Sequence, residues 1–169
     1  MLKPSRRKVF FSFHFERDAW RASQVRNCNI ISSLYSRNDF IDAASWEEVK
    51  RSGENQIKKW IDDQLHGTSI TIVLIGKETS SRKYVLYEIE KSYNNGNTLI
   101  GIYIHNVKNQ YQQTDPKGEN PFSYFYLNNN QENKLSNRIR MYDWIGHDGR
   151  SNVSKWIDDA IKNRKTVNV

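Results

Sequence analysis

Within Tyr84-Val-Leu-Tyr-Glu-Ile-Glu90 one carboxylate stands where its chemistry could be tuned. On a helix, Tyr84 and Glu88 are four residues apart and share a face. Val85 and Ile89 border that face, so Glu88 falls at the edge of the buried stripe, while Glu90 and Lys91 turn to solvent. A carboxylate at an apolar border loses hydration, and its proton affinity can shift. The same spacing also fits a surface ion pair worth ~0–1 kcal/mol, and periodicity alone favours that plainer role. A second cluster lies in Lys8-Val-Phe-Phe-Ser-Phe-His-Phe-Glu-Arg-Asp18. If Lys8–Phe13 is a strand, Ser12 and His14 point to one side, and Phe11 and Phe13 to the other. The carboxyl end of a parallel strand is where α/β sheets bind ligands. A lone histidine is more commonly structural; a meeting of His14 with Glu88 across the sheet edge would be the functional outcome.

Other site chemistries are excluded by their missing residues. There is neither GxxxxGK[ST] nor GxGxxG after the first strand, so no glycine-built phosphate cradle is expected there. Ile75-Gly-Lys-Glu78 lacks the acidic cluster of a receiver domain, and no GxSxG elbow occurs. His14, His66, His105 and His147 have no partner at metal-ligand spacing.

The elements that must hold these residues alternate. Ser69–Ile75 and Thr98–Ile104 are continuous β-branched or apolar runs, as in strands buried on both faces of a parallel sheet. Helices are predicted over Arg17–Asn27, from the capping-box pattern Ser45-Trp-Glu-Glu48 to Leu65 with a weak middle at Gly53, over Ser81–Asn94, and over Asn152–Lys162. Asp39–Ile41 reads as a short second strand and Arg138–Trp144 as a last one. The expectation is a single α/β domain over residues 1–169, with a mostly parallel five-stranded sheet covered by helices on both faces. Residues 105–137, rich in Asn and Gln, read as a polar insertion. Phe122, Tyr124, Phe125 and Tyr126 argue that part of it packs.

Composition narrows the class. The 169 residues suffice for one sizeable core. No apolar run approaches the ~20 residues that span a bilayer, and Met1–Lys8 is not followed by a signal-type apolar region. A cytoplasmic protein is expected. The lone Cys28 agrees with a reducing compartment and reads as a buried helical thiol. The net charge of +7 attracts something anionic. Arg6, Arg7, Lys8, Arg17 and Arg21 read mostly as a solvated basic face. Nucleic acid is disfavoured as the partner, since aromatic and basic residues do not interleave as on an RNA-binding sheet.

The first box, KVFFSFHFERD, resembles the opening box of TIR-like domains. With Phe40-Ile-Asp-Ala-Ala-Ser-Trp-Glu-Glu48, Thr71–Gly76 and Tyr84–Ile89 it forms a pattern similar to the TIR-like proteins of Thoeris anti-phage defence, over roughly the first 105 residues. Tyr84 stands where that family's helix usually has Trp, and Glu88 stands at the position of its catalytic Glu. The resemblance implies a flavodoxin-like fold and cleavage of NAD, as substrate rather than cofactor, between nicotinamide and ribose. It implies that Glu88 is catalytic and that Ser12, Phe13, His14, Asp42, Trp46 and Tyr84 bind substrate, with no metal. The implied product is an ADP-ribose-derived, cyclic nucleotide that activates a separate effector protein after a phage-derived trigger. A non-enzymatic interaction module, assembling as a homo-oligomer through its surfaces, is the alternative; no membrane partner is implied.

Overall fold

The computed structural model describes residues 6–37 and 43–167. The predicted strand Asp39–Ile41 and the side chains of Asp42 and Ser45 lie outside the described residues. The described residues form five strands: Lys8–Ser12 (β1), Ser36–Arg37 (β2), Ile70–Ile75 (β3), Thr98–Tyr103 (β4) and Met141–Asp143 (β5). They pair in parallel in the order β2-β1-β3-β4-β5, the flavodoxin-like arrangement. Every residue of β3 is buried, as its unbroken apolar run requires of a central parallel strand.

Among the described residues six helices cover the sheet: Phe15–Arg26 (α1), Asn29–Leu34 (α2), Ala43–Arg51 (α3), Glu54–Leu65 (α4), Lys83–Asn94 (α5) and Gly149–Val167 (α6). The alternation along each strand sorts the two faces. Val9, Phe11, Ile72 and Leu74 pack with Ala22, Ile31 and Trp156 on the α1, α2 and α6 side. On the other side Phe10 packs on Ile57 and Ile61 of α4, and Val73 and Ile75 pack on Val85 and Ile89 of α5. The weak middle of the long predicted helix is a full break. Gly53 takes φ +94°, a left-handed conformation at the start of α4 that glycine adopts without steric cost. Cys28 is buried and free, but it sits at the cap between α1 and α2, not inside a helix.

Arg21 departs from the expected solvated basic face. It is 1 % exposed and reaches four partners. Nε donates to the Val107 carbonyl at 2.7 Å, and Nη2 donates to the Gln113 carbonyl at 3.1 Å. Nη1 faces Asp18 at 3.1 Å and Asp115 at 2.9 Å. Arg17 adds a second bond to Asp115 at 3.0 Å. The desolvation of these charges is offset because each meets an opposite charge or a carbonyl. The cluster ties the first half of the 105–137 segment to α1. Next to it the backbones of Gly118 and Gly76 come so close that a Cβ on Gly118 would lie 2.0 Å from the Gly76 oxygen. Farther along, three short 3-10 turns bury Phe122, Leu127 and Leu135 beside Val73 and Ile75, whereas Tyr124 and Tyr126 are exposed.

Arg21→Ala should therefore lower unfolding stability by about 3–5 kcal/mol, because it strands Asp18 and two carbonyls. Lys155→Ala, in the exposed pair with Asp159, should leave stability nearly unchanged. Urea denaturation of both variants measures the difference, and equal midpoints would contradict the assignment.

Candidate active site

The residues around Glu88 are placed by α5, and α5 is placed by hydroxyls. Ser92 Oγ lies 2.8 Å from Thr71 Oγ1 on β3, and Tyr87 donates to Asp62 of α4 at 2.9 Å. Val85 and Ile89 bury the apolar stripe between these bonds. Glu88 lies one turn before Ser92 and so points at the same face of the sheet. There the Ser12 hydroxyl, at the end of β1, donates to Glu88 Oε2. The surface ion pair favoured by periodicity is not formed: among the described residues no cation pairs with Glu88. What periodicity could not register is that the edge of the stripe faces another strand's hydroxyl rather than water.

Glu88 borders a cavity of about 350 Å³, within the ~300–1,000 Å³ of small-molecule sites. The cavity opens at the carboxyl end of β1, beside the switch point where the chain order changes direction between β1 and β3. Its walls bring together Phe13, His14, Trp46, Tyr84 and Glu88. Ser12 differs from expectation: it is fully buried and lies behind Glu88, off the cavity wall. Asp42 lies outside the described residues. Trp46 of α3 packs against Phe15 at 5.7 Å and Trp60 at 6.3 Å between ring centroids, which makes one wall aromatic.

Several cavity residues were not legible beforehand, chiefly Lys50, Arg82 and Lys83. Lys50 lies four residues after Trp46 and shares its face, a spacing that could have revealed it. It is held by Glu16 and Glu47. Arg82 and Lys83 stand at the start of α5, where the helix dipole is already positive and cations are disfavoured. Two cations at a helix N-terminus are a signal in the sequence for an anion nearby. Arg82 pairs with Glu78 at 3.4 Å and Lys83 with Glu54 at 2.8 Å.

The electrostatics separate the two titratable groups of the cavity. Burial pushes the Glu88 carboxyl up to about 8, and the Ser12 hydrogen bond only partly opposes it. His14 is shifted the opposite way: burial, then the neighbouring Arg82 charge, hold the imidazole below its ordinary value. At neutral pH the cavity thus brings together a protonated acid and a neutral base. Groups of three or more potential metal ligands are absent among the described residues.

A flavodoxin-like sheet with a carboxylic acid in a cavity at the switch point defines the class. Residues 10–109 match the family described as "Thoeris protein ThsB, TIR-like domain", and the chain belongs to that family. It is also 31 % identical, over an alignment of 190 residues, to "Putative cyclic ADP-D-ribose synthase ThsB1" of Bacillus cereus (strain MSX-D12). The alignment covers 90 % of this chain and 99 % of that protein. The family match spans every cavity residue named above.

Glu88 imposes a pH dependence on stability. Its carboxyl keeps a proton in the folded state up to about 8 but loses it near 4.5 when unfolded. Between these values the folded state binds more protons, so stability falls as pH rises through that window. Glu88→Gln keeps an acceptor for Ser12 and removes the titration. The variant should match the wild type near pH 4 and be more stable by more than ~1 kcal/mol above pH 8. Thermal or urea unfolding across pH reads this, and parallel stability profiles would contradict it.

Proposed function

We infer that this protein cleaves NAD between nicotinamide and ribose and closes the remaining ADP-ribose into a cyclic nucleotide. The observation that carries the reading is the Glu88 carboxyl, backed by Ser12 and desolvated at the edge of an aromatic-walled cavity. The similarity to a protein named as a cyclic ADP-D-ribose synthase supports the same chemistry.

Nicotinamide leaves a cationic pyridinium as a neutral ring, so its departure needs no general acid. The barrier lies in an oxocarbenium-like ribose, the kind of species that glycosidases also form. A fixed carboxylate beside it stabilises the charge as it develops. The proton that burial holds on Glu88 does not prevent this. A bound pyridinium cation favours the carboxylate form and drives that proton to solvent. Phe13, Tyr84 and Trp46 offer faces on which a flat ring can stack. Arg82, Lys83 and Lys50 bring positive charge to the cavity, suited to the diphosphate.

The product passes to a separate effector protein, and a phage-derived trigger sets the activity, as befits membership of a Thoeris family. Assembly into a homo-oligomer and a cytoplasmic setting, where NAD and phage components meet, belong to the same reading. Among the described residues no helix is long and apolar enough to cross a membrane. An interaction module without catalysis would not require a desolvated acid facing a cavity.

The test is release of nicotinamide from NAD by purified protein, with and without lysate from phage-infected cells. Turnover should appear in the wild type and fall on the order of 10²–10³-fold in Glu88→Ala. No nicotinamide under either condition would refute the reading.

A further inference from the structure

We propose that His14 is the proton acceptor through which a hydroxyl of the same nucleotide captures the ribosyl carbon, so that His14 sets the ratio of cyclic to linear product. This rests on the NAD-cleaving reading above and goes beyond it. Cleavage requires negative charge near the ribose. Cyclisation has a second requirement, because an alcohol oxygen that has bonded to the ribosyl carbon remains an oxonium until its proton leaves. A base positioned for that proton favours capture by the hydroxyl it touches over capture by water.

His14 has the properties of such a base. It lines the cavity yet is only 8 % exposed. Its Nδ1 is buried without a hydrogen-bond partner among the described residues. Buried polar atoms are ordinarily satisfied, so an unpaired one calls for an explanation. Its backbone carbonyl accepts from the Asp18 N–H at 2.8 Å, which fixes the residue at the head of α1. The charged groups around the ring are Arg82 and Arg17, which favour the neutral imidazole, and Glu16 and Glu78, which oppose them. Burial decides the balance for the neutral form, the one that accepts a proton. Glu88 and His14 enter the cavity from different elements, α5 and the β1–α1 turn. A ribosyl carbon held against Glu88 therefore leaves the imidazole free to meet a hydroxyl arriving from the rest of the nucleotide. Phe13, Phe15 and Trp46 limit the water that would compete.

The step balances without an oxidant or reductant. The bond from the ribosyl carbon to the nicotinamide nitrogen breaks, and its electron pair leaves with nicotinamide. A lone pair of the hydroxyl oxygen forms the new carbon–oxygen bond. The hydroxyl proton moves to the unprotonated imidazole nitrogen of His14 and then to solvent.

The test uses the full chain with NAD and separates cyclic from linear product by mass, since the linear one carries an added water. The cyclic-to-linear ratio should fall at least ~10-fold in His14→Asn and in His14→Gln, whatever the total turnover. In the wild type the ratio should also fall as pH is lowered below 6.5, because burial holds the imidazole under that ordinary value and a protonated His14 cannot accept the hydroxyl proton. An unchanged ratio in a variant that releases nicotinamide overturns the proposal. If neither variant turns over, a flat wild-type ratio across that pH range overturns it instead. A wild type that releases no nicotinamide under triggering conditions removes the parent reading, and this one with it.

Discussion

Everything at the site depends on one hydrogen bond made where water is scarce. Ser12 ends β1, Glu88 lies in the middle of α5, and 76 positions separate them in the chain. The bond forms because two other constraints fix α5 in depth and rotation. Ser92 meets Thr71, and Val85 and Ile89 fill the space above β3. With the helix so held, the Glu88 carboxyl borders the cavity and meets the buried Ser12 hydroxyl behind it. Desolvation then raises the carboxyl's proton affinity, while the hydroxyl keeps the group in one place. In the NAD-cleaving reading we propose, a carboxylate that is both fixed and poorly hydrated is already arranged for a developing cation, so little reorganisation would remain.

The surrounding structure divides its work between the two sides of the sheet. The α4–α5 side holds the acid and the cations near the start of α5. The α1 side supplies His14 and, two turns farther on, the buried Arg21 cluster. That cluster fastens the segment after β4 against the head of α1, the same stretch of chain whose first residues line the cavity. The close approach of Gly118 to Gly76 fixes this segment to the end of β3 as well. The long polar insertion is therefore tied by ion pairs and backbone contacts near its start, and by Phe122, Leu127 and Leu135 farther along. Stability and site geometry share these contacts, because α1 cannot shift without disturbing both.

Much of the fold was legible because burial leaves a pattern. The unbroken run at Ile70–Ile75 announced a central parallel strand, and the stripe of Val85 and Ile89 announced the helix that packs on it. Glu88 itself was legible only through resemblance. Helical spacing placed it at a border but could not say what lay across that border. Ser12 showed the same limit, since alternation gave its direction but not its depth, and it lies behind the acid instead of on the wall. Arg21 was misjudged for a related reason. Its carbonyl partners at Val107 and Gln113 are 86 and 92 positions away, and composition carries no information about such distant partners. The break at Gly53 was visible as a weakness, but the left-handed turn that makes it complete is a property of the backbone. Arg82 and Lys83 left a trace that could have been read, two cations at the wrong end of a helix dipole.

The most direct test of this account is the titration of the Glu88 carboxyl itself, followed by its side-chain carbon resonance in otherwise native protein. The midpoint should lie near 8, and higher in Ser12→Ala, where the hydrogen bond that favours the anion is lost. A midpoint at the ordinary value near 4.5, unaffected by Ser12→Ala, would show a solvated side chain and contradict the site as described.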